Sequence, residues 1–228
     1  AVSLHLSKVA GEDGAAPPIF FAQRLDFRLG DGEVCDALEF AALRMKVGEE
    51  AVLTCTPPAG VCEPRLGLTG KETSASLTLE LLSFGQGADP AALALPERLA
   101  FAAERKDVGA KLFGRQRFAL ALERYKGVLA LIEPSSGEEG DDLRRACELN
   151  RAACLLKLGD PQEARAACGE VLRLDPHNLK ALFRRASANF ALSNYEAAMS
   201  DITLLLSKDP RNADARGLAA KVREAQRQ

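Results

Sequence analysis

Tryptophan is absent from the 228 residues, and there are only two tyrosines and two histidines. Neither Trp nor Tyr occurs in the first 90 residues, so any pocket there lacks the two aromatic side chains with a polar handle. Six cysteines occur without one C-x-x-C pair. With two histidines, that excludes a zinc site of ordinary ligand spacing. Cys35, Cys55, Cys62, Cys147, Cys154 and Cys168 read instead as small hydrophobes in a reducing cytosol. Excess charge is also missing: 30 basic against 32 acidic residues give a net charge of -2. That leaves no electrostatic footprint for nucleic acid or an anionic membrane, so an anion site must be local. No apolar run approaches the ~18 residues that span a bilayer. The chain opens on "AVSLHL" without an initiator Met or a secretory signal. It reads as part of a longer chain, so missing targeting signals say little about the parent.

What is present changes period near residue 88. Before it, alternating stretches dominate: "VSLHL" (2–6), "RLDFRL" (24–29), "EEAVLTCT" (49–56) and "SLTLELLSF" (76–84). Leu77, Leu79 and Leu81 share one face, Thr78 and Glu80 the other. A period of two predicts half-buried strands of an antiparallel sheet. "DALEFAALRMKVG" (36–48) instead places Leu38, Ala42 and Met45 at helical spacing and predicts a helix stopping at Gly48. The first half is therefore α+β.

From about residue 90 the period is 3.6. "ACELNRAACLLKLGDPQEARAACGEVLRLDPHN" (146–178) overlays "KALFRRASANFALSNYEAAMSDITLLLSKDPRN" (180–212) at an offset of 34. Ala152/Ala186, Leu158/Leu192, Ala164/Ala198, Asp175/Asp209, Pro176/Pro210 and Asn178/Asn212 coincide. An earlier copy at 105–134 fits at offset 43, and its extra residues are assigned to a polar loop, "SSGEEGDD" (135–142). Residues 212–226 begin a further frame and stop after one helix, which caps the stack. A 34-residue helix–turn–helix unit with small residues at the crossings is the tetratricopeptide pattern. Gly109, Ala152 and Ala186, and Ala121, Ala164 and Ala198, let paired helices approach. Tyr125, Cys168 and Ile202, then Val128, Val171 and Leu205, fill the layer to the next repeat. Pro134, Pro176 and Pro210 end each second helix.

Such a solenoid lines a concave groove with the first helix of each repeat. Asn150 and Arg184 are equivalent at the 34-residue offset, Lys180 lies one turn before Arg184, and Lys106 is one position off register with Asn150. Like charges gathered on a concave wall are costly unless an anion completes them. Arg185 is rotated by ~100° from Arg184 and drops out of this set.

"KDVG", "LNRAA" and "KALFR" in successive repeats resemble the carboxylate-clamp tetratricopeptide domains of heat-shock co-chaperones. The resemblance implies that Lys106, Asn150, Lys180 and Arg184 hold terminal carboxylates. The partner it implies is the acidic C-terminal Glu-Glu-Val-Asp tail of a cytosolic heat-shock chaperone of the ninety- or seventy-kilodalton class. Many such clamps carry a second Asn where this chain has Ala110. A lost neutral hydrogen bond costs ~1 kcal/mol, which weakens the clamp without abolishing it.

"ALEFAALRMKVGEEAVLTCTPPAG" (37–60) resembles the helix–turn–strand core of FKBP-type peptidyl-prolyl isomerases. Residues 20–34 and 74–84 resemble the flanking strands, and the strand that usually precedes "VSLHL" is absent. The family holds a prolyl peptide in an aromatic bowl with no nucleophile and no metal. Its floor Trp falls at Leu38, its flap Tyr falls within "PAGVCEP" (58–64), and no Asp follows Phe20 or Phe21. The expected isomerase activity is weak or absent, and Phe20, Phe27, Phe40 and Phe84 are expected in the core.

The expectation is an FKBP-like domain at 1–87, a linker at 88–98 and a tetratricopeptide domain at 99–228. Its repeats are expected at about 101–134, 144–177 and 178–211, with a capping helix at 212–227. This is the arrangement of the large immunophilin co-chaperones. No catalytic residue, metal or cofactor is assigned. A working isomerase targeted by its repeats, and a scaffold for an unrelated peptide, remain the alternatives. A client protein is an expected second partner, in the cytoplasm.

Overall fold

Alternating leucines start the first strand at Val2. The computed structural model describes residues 2–11, 23–55, 62–63, 68–69, 75–85, 89–133 and 136–227. The chain divides into two units, residues 1–89 and 90–228.

In chain order the first unit holds β1 (Val2–Gly11), β2 (Gln23–Phe27), α1 (Asp36–Ala42), β3 (Glu50–Cys55), β4 (Cys62–Glu63), β5 (Leu68–Thr69) and β6 (Ala75–Phe84). Four strands form one sheet in the order β2-β1-β6-β3, every neighbouring pair antiparallel. Leu4 pairs with Leu25 and Leu81, Leu6 with Leu79, and Leu53 with Leu77. The period of two thus delivers Leu4, Leu6, Leu25, Phe27, Leu77, Leu79 and Leu81 to one face, where Leu38 and Ala42 of α1 close the core.

Two expectations fail here. Helix α1 ends at Ala42, not at Gly48. The N–H groups of Arg44 and Met45 both turn to the Ala41 carbonyl, Lys46 N–H donates to the Glu49 carboxylate at 2.7 Å, and Gly48 N–H pairs with Leu81 O at 2.8 Å. Gly48, at φ +81°, has already joined the sheet. Met45 still packs on the core. Phe84 is 43% exposed, beyond a register shift between β1 and β6 that also exposes Leu82. Phe27 is buried and Phe40 half-buried, while Phe20, like most of the flap segment, lies outside the described residues.

The second unit opens with a 3-10 turn (Pro90–Ala92). Seven helices follow: α2 (Leu95–Gly114), α3 (Phe118–Leu131), α4 (Gly137–Leu158), α5 (Pro161–Leu174), α6 (Leu179–Ala191), α7 (Tyr195–Lys208) and α8 (Ala213–Ala225). The repeated "D-P-x-N" turns explain two of the starts. Asn178 Oδ1 accepts from Ala181 N–H and Asn212 Oδ1 from Ala215 N–H, while Asp175 and Asp209 each accept from the Asn side chain three residues on. Gly159, at φ +79°, ends α4, and Pro161 opens α5.

Helix α2 begins at Leu95, inside the stretch expected as linker. Helix α4 begins at Gly137, so "SSGEEGDD" is helix from its third residue, not loop. Glu138 and Glu139 sit in its first turn, where carboxylates favour the positive end of the helix dipole, and Leu143 anchors it in the core. Gly140 passes so close to Ser136 that a Cβ would stand 2.4 Å from the serine Cβ.

The small positions act as crossings. Ala121, Ala152, Ala164, Ala186 and Ala198 are fully buried. A Cβ on Gly109 would lie 2.9 Å from Tyr125 Cε1. Tyr125, Cys168 and Ile202, with Val128, Val171 and Leu205, are buried between successive repeats.

Candidate peptide-binding site

Helices α2, α4 and α6 lie side by side, α4 touching both others. Each carries part of the cationic and amide set. Lys106 on α2 is half-buried, with Nζ 3.1 Å from the carboxylate of its neighbour Asp107. Its field reaches Cys147, one turn before Asn150 on α4. Asn150 is half-buried and shares a side-chain hydrogen bond with Tyr125 of α3. Arg184 reaches from α6 back to α4, where Nη1 donates to the Leu149 carbonyl at 2.5 Å. Around that guanidinium lie Cys168, Cys154 and Tyr125. Its burial holds the pKa below the usual arginine value, though a guanidinium stays charged at any working pH. Lys180 is exposed in the first turn of α6, one turn before Arg184.

Arg184, Asn150 and Tyr125 therefore meet around the Leu149–Asn150 peptide, and Lys106 approaches the same helix one turn earlier. Among the described residues no hydrogen bond or ion pair ties Lys180 to this cluster. Ala110, where many clamps have Asn, is exposed on α2.

The sequence did not reveal three partners. Tyr125 reads as a layer-filling residue, yet its hydroxyl is bonded to Asn150. Burial pushes that hydroxyl's pKa well above the ordinary tyrosine value, so it stays neutral. The Leu149 carbonyl is backbone, and no side-chain pattern encodes it. Arg185 forks onto Asp201 with bonds of 2.9 and 2.6 Å, an ion pair on the face turned toward α7.

In the first unit the expected bowl floor, Leu38, is fully buried in a hydrophobic cluster that is aliphatic apart from Phe27 and Cys35. Beside it are two buried carboxylates. Glu39 accepts from the N–H groups of Gly30 and Gly32. Glu63 accepts from Cys35 N–H at 2.8 Å, at the head of α1.

The two halves match different families. Residues 19–81 match the FKBP-type peptidyl-prolyl cis-trans isomerase family. Residues 155–222 match the tetratricopeptide repeat. The chain belongs to the FKBP-type immunophilins that carry tetratricopeptide repeats. The human peptidyl-prolyl cis-trans isomerase FKBP4 is 30% identical over 225 residues, covering 92% of this chain and 48% of its own length. Among the first curated relatives the chain spans between 31% and 48% of the relative's length. The C-terminal tetratricopeptide domain of a Plasmodium falciparum FK506-binding protein superposes with a TM-score of 0.56 at 24% identity. It covers 61% of this chain and all of that one. The Hsp90 co-chaperone Cns1 of Saccharomyces cerevisiae superposes with a TM-score of 0.51 at 26% identity, over 56% of this chain and 40% of that one. Among the described residues no helix of this immunophilin is long and apolar enough to cross a membrane.

Proposed function

We propose that this immunophilin is a cytoplasmic co-chaperone whose repeat groove grips the acidic C-terminal tail of a heat-shock chaperone. Lys106, Asn150, Lys180 and Arg184 hold the tail's terminal carboxylates. The observation that carries this reading is Arg184, drawn back across α6 to α4 beside Asn150. One of its N–H groups is spent on Leu149, and the rest of its five-donor fork remains for a carboxylate. Charged hydrogen bonds contribute ~1.5–3 kcal/mol each, so a few such contacts hold a short tail. The likeness to yeast Cns1, an Hsp90 co-chaperone, supports the same partner class.

The FKBP-like unit works as a presenting module, toward the chaperone or a client, with weak or no isomerase activity. Leu38 in place of an aromatic floor supports this.

The test is titration of the chain with a peptide ending in Glu-Glu-Val-Asp, as free acid and as C-terminal amide. The free acid binds, salt weakens it, and Lys180→Ala or Arg184→Ala lowers affinity roughly tenfold or more. Unchanged affinity in both variants would sink the groove reading. A proline-isomerisation assay tests the other half: clear catalysis, abolished by an inhibitor of the family, restores the enzyme reading.

A further inference from the structure

The two edges of the sheet in the first unit are finished differently. At one edge β2 turns Leu25 and Phe27 into the core, each 3% exposed. Its outer side chains Arg24 and Asp26 are exposed, paired with each other at 3.1 Å and bonded to Ser3 of β1. Charges on an edge strand discourage a further strand from adding to it. At the other edge β3 carries no basic residue and no proline from Glu50 to Cys55, and its register with β6 runs without a shift. Val52, in its middle, is 69% exposed. Ala51 and Leu53, which face the core side, stay half-buried. Among the described residues no strand lies beyond β3.

The hydrogen bonds fix which groups β3 leaves free. Leu81 N–H donates to the Glu49 carbonyl at 3.1 Å. The alternation of an antiparallel ladder then makes Ala51–Leu79 and Leu53–Leu77 the bonded pairs with β6. The N–H and C=O groups of Glu50, Val52 and Thr54 therefore point away from β6. The same three residues carry the exposed side chains. A strand of identical sequence fits this row. Laid antiparallel about a two-fold axis through Val52, a second β3 sets Val52 against Val52 and Glu50 against Thr54 on either side. Each of these pairs exchanges two main-chain bonds. Each residue also meets one that faces the same way, so the core sides of both sheets stay continuous. Sliding the copies until Glu50 meets Glu50 opposes like charges and shortens the overlap.

We infer that the free edge of β3 is a self-association surface, to which a second copy of this chain adds its own β3 antiparallel, Val52 on Val52. The surface stands apart from the peptide groove of the second unit. One short strand is smaller than the roughly 1,200–2,000 Å² of a stable interface. The pairing is therefore weak and concentration-dependent, held by main-chain bonds and by burial of Val52.

The experiment is sedimentation equilibrium of the whole chain from about 10 µM to about 1 mM, the range in which so small a contact saturates. Amide hydrogen exchange is read by NMR at both ends of that range. The weight-average mass rises from monomer toward dimer. The amides of Glu50, Val52 and Thr54 exchange roughly tenfold or more slowly at the higher concentration. Those of Ala51 and Leu53, already bonded to β6, change little. Val52→Lys sets two cations face to face at the axis and returns the chain to monomer. Val52→Pro removes a donor that β6 does not use, with the same result. Protected Ala51 and Leu53 amides report that the sheet of the lysine variant is intact. If a variant unfolds, the concentration dependence of the wild-type amides decides alone. A chain that is monomeric throughout overturns the inference, as does a dimer indifferent to both folded variants or one that protects other amides. Protection of Glu50, Val52 and Thr54 already in the dilute monomer also overturns it, because another segment of the chain then holds the edge.

Discussion

Arg184 on α6 is hydrogen-bonded through Nη1 to the carbonyl of Leu149 on α4, 35 residues earlier in the chain. One side chain thereby fastens two groove helices and stands ready beside Asn150. If Arg184 also holds the peptide as proposed, structure and binding share a residue here, and the two can be separated by changing its shape while keeping its charge.

Arg184→Lys retains the cation but not the fork. A single ammonium cannot serve the Leu149 carbonyl and clasp a carboxylate with two parallel bonds. We expect weaker tail binding and a stability loss of about 1 kcal/mol in urea denaturation. Arg184→Ala removes this charged hydrogen bond altogether, while the Leu149 carbonyl, inside α4, keeps its own helical N–H donor, and costs about 1–3 kcal/mol. Wild-type affinity in the lysine variant would show that charge alone suffices.

Two glycines in helix interiors should respond in opposite directions to alanine. At Gly109 the new Cβ meets the Tyr125 ring at 2.9 Å, and the ring is buried with no room to retreat. Overpacking costs about 1–3 kcal/mol, more than the ~1 kcal/mol gained in helix propensity. Gly109→Ala therefore lowers the thermal midpoint and, by displacing the ring, weakens tail binding. At Gly169 in α5 nothing lies within 4 Å of the added carbon. Gly169→Ala raises stability by about 0.5–1 kcal/mol. Scanning calorimetry on both variants is sufficient, and a midpoint that rises for Gly109→Ala refutes the packing argument.

The helical architecture was legible because repetition supplies its own alignment. An offset of 34 equates Asn150 with Arg184 before any coordinates exist. The strands were legible because Leu77, Leu79 and Leu81 leave one face for the core. What failed lay at boundaries and at backbone acceptors. "SSGEEGDD" is polar enough for a loop, but Glu138 and Glu139 suit a helix N-terminus equally well, and only the burial of Leu143 decides it. Helix α1 stops early because the sheet claims Gly48, a long-range bond with Leu81 that local periodicity does not contain. The Leu149 carbonyl and the Tyr125–Asn150 bond likewise depend on which helices become neighbours. The fork of Arg185 onto Asp201 likewise depends on α6 and α7 becoming neighbours and is not visible in the sequence.

That fork predicts an asymmetry. The Asp201 side chain is 6% exposed and the Arg185 side chain 33% exposed. Arg185→Ala strands a buried carboxylate, a loss of about 3–5 kcal/mol for a broken buried pair. Asp201→Ala leaves a cation that can turn to solvent, at about 1–2 kcal/mol. Urea denaturation should rank Arg185→Ala as clearly the worse. Tail affinity of folded Asp201→Ala stays at the wild-type level, because Arg185 lies outside the groove set. Equal destabilisation by the two variants would mean that burial does not govern this pair.

The three cysteines of α4 and α5 give the chain an alkaline limit. Cys147, Cys154 and Cys168 are fully buried. Burial pushes each thiol from 9.0 up to about 12, against the pull of Lys106 on Cys147 and of Arg184 on Cys154 and Cys168. The folded state therefore keeps its thiol protons at a pH where the unfolded state has lost them. A raised acid pKa means that stability is intact below pH 9 and declines as pH climbs from about 9 toward about 12. Urea midpoints at pH 8, 9.5 and 10.5 should fall in that order, and a variant with all three residues changed to Ala should show a flatter profile. Alkylation supplies the kinetic counterpart, since the thiolate is the nucleophile. At pH 8 these three positions should label far more slowly in the native protein than in urea, as read by peptide mass mapping. Labelling at the unfolded rate would mean that α4 and α5 open readily enough to expose the wall behind the groove.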